Sequence, residues 1–247
     1  MSSVFGRCVL AGLVLFACGS PALGDTYTDP SGFSFDYPDG WVPVTWAAVD
    51  KGNRGLTDEL RVWLSKNNVD LNRISVMLLR AGRDEFLENL NVVVEGQQVL
   101  VDDNTVKQLT GQLTQQFGAM NAKVENLQGR VQKVGTRDAA VLEWQVRMPG
   151  APHVLRQKQV LFPGGGKTYI VTCTAKADSF DAYQPTFDRI LTSFQIPAPV
   201  AQGFDWNRLL SSALMWGGLG GIAGAVIGGL GWFTKKRTRP AKPEREQ

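Results

Sequence analysis

Residues 209–233, LLSSALMWGGLGGIAGAVIGGLGWF, carry no charge, and the basic run Lys235-Lys236-Arg237-Thr238-Arg239 follows at once. An uncharged stretch of this length closed by cations reads as a membrane span with a stop-transfer tail. As a helix rising ~1.5 Å per residue it is ~37 Å long, somewhat more than the ~30 Å of bilayer hydrocarbon, so it spans with a modest tilt. Trp206 and Trp232 stand near its two ends, where an amphipathic indole prefers the headgroup level. Basic residues flanking a span mark its cytoplasmic side, which places the tail 234–247 inside and the chain before the span outside. The tail can also touch anionic headgroups, although fixing orientation is its more ordinary role.

Gly220, Gly224 and Gly228 recur every four residues within that segment, and Gly217 with Gly221 forms an overlapping pair. Lipid supplies no hydrophobic drive between helices, so a glycine face that lets two backbones approach is one of the few sources of packing energy for a single span. The spacing is therefore a candidate surface for self-association or for docking on another membrane protein. The competing explanation is that glycine is common in such spans and some GxxxG register arises by chance.

The other end of the chain is also a targeting segment by pattern. Residues 1–24 hold a lone Arg7, an apolar run from Val9 to Ala17, and Ala22-Leu23-Gly24 ahead of Asp25. That order describes a secretory signal cleaved after Gly24, too short to be a second span. A rival reading makes Leu15-Phe16-Ala17-Cys18 a lipobox with Cys18 lipidated, but the bulky Phe16 suits it poorly. Removal of the signal takes Cys8 and Cys18 with it and leaves Cys173, so the exported domain has no internal disulfide and depends on its own core.

The overall charge of +3 belongs to the anchor. From Asp25 to Pro197 there are 18 Lys and Arg against 20 Asp and Glu, whereas the tail after Phe233 has six basic and two acidic residues. A mildly acidic domain does not present a nucleic-acid surface.

Between the two ends lies one domain, 25–197, followed by a linker, 198–208. Phe33, Phe35 and Tyr37 alternate with Ser34 and Asp36, the period-two pattern of a half-buried strand. A turn at Pro38-Asp39-Gly40 leads into Trp41 to Thr45, where Pro43 requires an edge position or a strand start. Further strand-like runs cover 60–65, 73–80 and 91–95. Val106, Leu109, Leu113, Phe117 and Met120 then follow helical spacing, with Asp102, Asp103 or Asn104 available as N-cap. Four more strands at 123–134, 137–147, 154–162 and 167–175 suggest an antiparallel meander. A last helix over 180–194 presents Phe180, Tyr183, Phe187, Ile190, Leu191 and Phe194 on one stripe, and Pro185 predicts a kink or a late start.

Three strings in this domain, Phe33-Ser-Phe-Asp-Tyr-Pro-Asp-Gly-Trp41, Asn89-Leu-Asn-Val-Val-Val-Glu95 and Phe187-Asp-Arg-Ile-Leu-Thr-Ser-Phe194, resemble the PsbP, Mog1 and DcrB-like superfamily over roughly Thr26 to Ile196. The resemblance implies an α/β/α sandwich with a central antiparallel sheet and helices on both faces, to which the sequence adds one C-terminal transmembrane helix. That superfamily includes a lumenal subunit supporting the oxygen-evolving centre of photosystem II, a Ran-binding nuclear factor and exported bacterial proteins. It shares no catalytic motif, so the resemblance implies no catalytic residues, and the glycine-rich span departs from its photosynthetic members.

Individual motifs reduce to ordinary structure. Gly164-Gly165-Gly166-Lys167-Thr168 ends like a phosphate loop, but Leu161 stands where the leading glycine belongs and a strand follows where a helix should; a hairpin turn accounts for it better. Asp102-Asp103-Asn104 and Asp84-Glu85 lack the ligand spacing of a calcium loop, and capping and a solvated turn explain them. His153 has no second His or Cys to share a metal with, and Cys173 sits in a strand pattern as a small apolar residue. Trp41, Trp46 and Trp63 suit a core better than a ligand groove. No cofactor or metal is therefore expected. The functional expectation is a non-enzymatic binding or accessory module that assembles with a membrane complex. The alternatives are an exported enzyme whose site no linear motif reveals, and a spacer for a glycine-packed membrane oligomer.

Overall fold

A computed structural model describes residues 23–45, 74–80 and 88–200. The expected strand at 60–65, Trp46, Trp63, the Asp84-Glu85 pair and residues 1–22 lie outside the described residues. So does the whole segment 209–233 with Gly217, Gly220, Gly221, Gly224 and Gly228. Among the described residues, no helix is long and apolar enough to cross a membrane.

Among the described residues, nine strands and two helices make up the domain. They are β1 (Leu23–Thr28), β2 (Ser34–Pro38), β3 (Trp41–Val44), β4 (Ile74–Arg80), β5 (Asn89–Glu95), α1 (Asp103–Ala119), β6 (Lys123–Val134), β7 (Arg137–Arg147), β8 (Leu155–Gly164), β9 (Lys167–Lys176) and α2 (Phe180–Ser193). The seven strands β3 to β9 form one antiparallel sheet in the order β3-β4-β5-β9-β8-β7-β6, and β1 pairs with β2 in a separate ribbon. The expected meander of the last four strands is present, and so is the edge position that Pro43 demands. The insertion of β9 beside β5 joins this meander to β3-β4-β5.

Side chains alternate between the two faces of the sheet, and each helix covers one of them. Ala140, Leu142, Trp144, Leu161 and Ile170 pack with Val106, Leu109, Leu113 and Phe117 of α1. The intervening Val141, Val160, Phe162, Tyr169 and Val171 pack with Phe180, Phe187, Ile190 and Leu191 of α2. The result is a mixed α/β domain with a helix on each face of a central antiparallel sheet.

Local chemistry explains where the elements begin and stop. Asp102 is the cap of α1, its Oδ1 accepting the Thr105 amide at 2.7 Å, and that bond holds the carboxyl below its usual range. On β6, Gly129 lets the helix close down: a Cβ there would stand 2.5 Å from Val106 Cγ1 and 2.8 Å from Thr110 Cγ2. The same strand is the second edge of the sheet, and a bulge between Glu125 and Gln128, with Asn126 at φ 55°, breaks its regularity against pairing with other chains.

The second helix has the expected span, from Phe180 to Ser193, and with Pro185 inside it does not start late. Four buried residues of its stripe sit on the aromatic face of the sheet, and that burial outweighs the one backbone bond that proline removes.

The chain enters and leaves this domain at opposite ends. Leu23 of β1 pairs with Pro38, beside the turn into β3, whereas Gln195 pairs with Ser34 at the other end of β2. The first strand carries no strong sequence signal; it includes Leu23 and Gly24, so a chain cut after Gly24 would retain the pairing from Asp25↔Tyr37 onward.

Candidate functional site

Two places depart from what packing alone requires, one inside the sheet and one where the chain leaves it. The interior one lies on the α1 face across the three central strands. Leu90 and Val92 point to α2, so Asn89 and Asn91 point to the α1 side, together with Thr172 and Thr174 of β9 and Gln157 and Gln159 of β8. Register aligns them in two rows: Asn91, Thr172 and Gln159, and one pleat away Asn89, Thr174 and Gln157, which continues to Trp144. With strands ~4.8 Å apart, each three-residue row is ~10 Å wide.

All six polar residues have no exposed surface. Gln159 Nε2 donates to Thr172 Oγ1 at 3.1 Å, and Gln157 Nε2 donates to Thr174 Oγ1 at 3.0 Å. Among the described residues, Asn91 Oδ1 and Nδ2, Gln159 Oε1 and Trp144 Nε1 make no hydrogen bond. A buried amide without a partner costs about 1–3 kcal/mol, so such groups normally meet water or a ligand. The rows contain amides, hydroxyls and an indole N–H, with no nucleophile and no cation. Such a set can hold ordered water or a small neutral molecule with both donors and acceptors. Glu88, just before β5 and out of phase with Asn89 and Asn91, is also buried, and its Oε2 makes no hydrogen bond among the described residues.

The other face of the same strands is dry and aromatic. Phe194 stacks on Phe33 at 5.3 Å between centroids and on Phe162 at 5.4 Å, and it meets Phe35 and Tyr169 as well. Among the described residues the one buried cation on this face is Lys158, whose Nζ donates to Asp188 Oδ1 of α2 at 2.7 Å, while Arg156 and Arg80 lie over the rings of Phe180 and Tyr183 at its margin. Cys173 lies opposite Lys158, and complete burial pushes its thiol far above the ordinary range, which fits an inert packing residue.

The second place is the exit of the chain. After α2, residues 194–200 cross the end of the sheet as a strap. Gln195 exchanges both backbone bonds with Ser34 at 2.7 and 3.0 Å, and the Gly165 amide donates to Ala198 O at 2.8 Å. Gln98 grips Val200 with both ends of its amide: Nε2 donates to the carbonyl at 2.7 Å, and Oε1 accepts the N–H at 3.0 Å. Arg137 Nη1 donates to Phe194 O at 2.6 Å.

The glycine run that imitates a phosphate loop is the seat of this strap. Gly165 and Gly166, with φ of 58° and 79°, form the two-residue turn between β8 and β9. Gly164 has a separate reason: a Cβ there would stand 2.4 Å from Pro197 O and 2.9 Å from Ile196 Cδ1. The domain's contacts thus continue to Val200, past the expected boundary at Pro197 and into the stretch 198–208 read as linker.

Other sequence candidates are dispersed. Trp41 is a core residue packed edge-on to Tyr183 and Phe187, Asp102 is a cap, and His153 is exposed in the β7–β8 connection. Among the described residues, no group of three or more His, Cys, Asp or Glu could hold a metal ion. The polar rows escaped sequence reasoning because Asn, Gln and Thr are spread over three strands; the available signal was the repeated alternation Asn89-Leu-Asn91, Gln157-Lys-Gln159 and Thr172-Cys-Thr174, polar at every second position of a strand.

Fold and site together define a mixed α/β module built on one antiparallel sheet, with a polar interior layer on one face. The family model for PsbP matches residues 25–196, and the chain belongs to that family. PsbP-like domains serve as extracytoplasmic or lumenal accessory modules. Among solved structures, cyanobacterial PsbP (CyanoP) from Synechocystis sp. PCC 6803 is similar at 20% identity, covering 74% of this chain and 98% of that one, with a TM-score of 0.47. LpqN of Mycobacterium tuberculosis, described as involved in cell envelope biogenesis, is similar at 12% identity, covering 73% and 87%, with a TM-score of 0.40. A protein of Bacteroides thetaiotaomicron is similar at 11% identity, covering 75% and 52%, with a TM-score of 0.42. Comparison with curated proteins returns no match.

Proposed function

We propose that this chain is a non-catalytic accessory module held at the outer face of a membrane by residues 209–233, with its PsbP domain outside and the basic tail inside. It works there as an assembly partner, meeting a second copy or another membrane protein through the face of Gly217, Gly220, Gly221, Gly224 and Gly228. The observation that carries this reading is the exit strap. The domain is tied down as far as Val200, and eight residues, 201–208, separate it from the uncharged segment. A short tether keeps a compact domain beside whatever its span contacts.

The test is crosslinking of the full-length protein in its native membrane. Wild type is expected to give a crosslinked species through the span that Gly224→Leu abolishes; equal crosslinking by the variant would remove the glycine face from the mechanism.

A second reading, small-ligand binding, is favoured by the polar rows, because Asn91 presents an amide with neither end hydrogen-bonded among the described residues. Native mass spectrometry of protein purified from membranes should then show a bound neutral mass that Asn91→Leu loses. An unliganded mass in both would leave the rows a purely structural feature.

A further inference from the structure

The strap marks the end of the domain from which the chain leaves. Four segments converge where the chain leaves: the β8–β9 turn at Gly165, the Ser31–Gly32 turn, the β6–β7 turn at Gly135, and residues 97–100. Lys167 Nζ donates to Ser31 O at 3.1 Å, and the Val99 amide donates to Thr168 Oγ1 at 2.8 Å. A Cβ on Gly135 would lie 3.2 Å from Thr192 O at the end of α2.

This end also carries two of the three exposed large apolar side chains among the described residues, Leu100 at 48% and Val200 at 43%. They belong to neighbouring segments, since Gln98 holds Val200. The third, Val42, lies within the edge strand β3. The described connections at the opposite end, namely the Asp39–Gly40 turn, 149–153 and 177–179, carry none.

Chain length supplies the second constraint. Trp206 is six positions beyond Val200, so the strap lies within ~20 Å of that indole even if the tether is fully extended. The ten residues of β8 make the sheet ~33 Å long in the same direction. A tether shorter than the domain, leaving from one end, restricts how far the domain can turn over.

We infer that the end of the sandwich built by the Gly165 turn, the Ser31–Gly32 turn and residues 97–100 rests on the lipid headgroups, with Leu100 and Val200 as its apolar contacts. The inference rests on the reading of 209–233 as a membrane anchor. Charge does not supply the contact: Lys133, Arg137 and Lys167 at this end are outnumbered by Asp29, Glu95, Asp102, Asp103 and Asp138 among the described residues. The orientation therefore holds on zwitterionic lipid. It stands the sheet across the plane of the membrane and leaves its two edges, β3 and β6, facing sideways toward a neighbour.

The experiment uses the full chain with Cys8 and Cys18 replaced by serine, reconstituted in phosphatidylcholine vesicles with or without brominated acyl chains. A bimane label is placed singly by Leu100→Cys, Val200→Cys, Asp39→Cys or Asp178→Cys; all four positions are exposed, whereas the native Cys173 is buried. Quenching at 100 and 200 is expected to be at least twofold stronger than at 39 and 178. Equal quenching at both ends, no quenching at any position, or stronger quenching at 39 and 178 overturns the orientation. Flotation of the same samples with vesicles after carbonate treatment separates the two layers of the argument. Protein that floats without the asymmetry retains its anchor and loses the orientation, and protein that fails to float loses both.

Discussion

The two faces of the central sheet are built from alternate residues of the same strands, yet they are governed by different physics. On the α2 side, Phe33, Phe35, Phe162, Tyr169 and Phe194 form one aromatic cluster, and the single buried cation among the described residues, Lys158, has a carboxylate within hydrogen-bond distance. On the α1 side, α1 covers β6 and β7 by close approach over Gly129, while β5, β9 and β8 present amides and hydroxyls in register. The first face is a reservoir of burial free energy. Its counterpart gives up part of that energy to keep polar groups inside, which proteins do where specificity or binding needs them.

The contrast can be broken most forcefully at Phe194. Truncation to alanine opens a cavity among four aromatic rings and should cost about 3–5 kcal/mol by urea denaturation; a loss below ~1 kcal/mol would mean the aromatic face is not the stabilising one. A middle-sized effect is expected at Asp188. Asp188→Ala leaves Lys158, with 9% of its side chain exposed, without its partner, and should cost about 2 kcal/mol because Asp188 itself is partly in water. Adding Lys158→Met should restore most of that loss, and a double-mutant cycle with no coupling would show that the pair does not act as one. The smallest effect belongs to the polar face: Asn91→Leu should change stability by less than ~1 kcal/mol, since it removes a buried amide along with its need for a partner. Val92→Asn, the next residue on the opposite face, should destabilise severely, and similar outcomes for the two would erase the distinction between the faces.

Elements governed by neighbours in the chain were legible. The helical spacing from Val106 to Phe117, the Asp102 cap, the period-two strands, and the glycine turn before Lys167 all depend on residues within a few positions of one another. Pro185 shows where local reasoning fails: a lone helix would pay for the missing N–H with its length, but four buried contacts on the sheet keep α2 whole. The glycine run shows it differently. Its turn was readable, but the reason for Gly164 is a carbonyl 33 positions away in the sequence.

By itself, the sequence determined the periodicities, the family, and the presence of an uncharged glycine-rich segment behind the domain, because each is a property of composition or of short-range order. Only the tertiary structure decided that β9 lies beside β5, that Asn91, Thr172 and Gln159 share a row, and that the chain leaves under a strap opposite the end where it enters. Those are pairings between distant segments, and the free energy selecting them comes from burial and hydrogen bonds that exist only once the sheet is assembled.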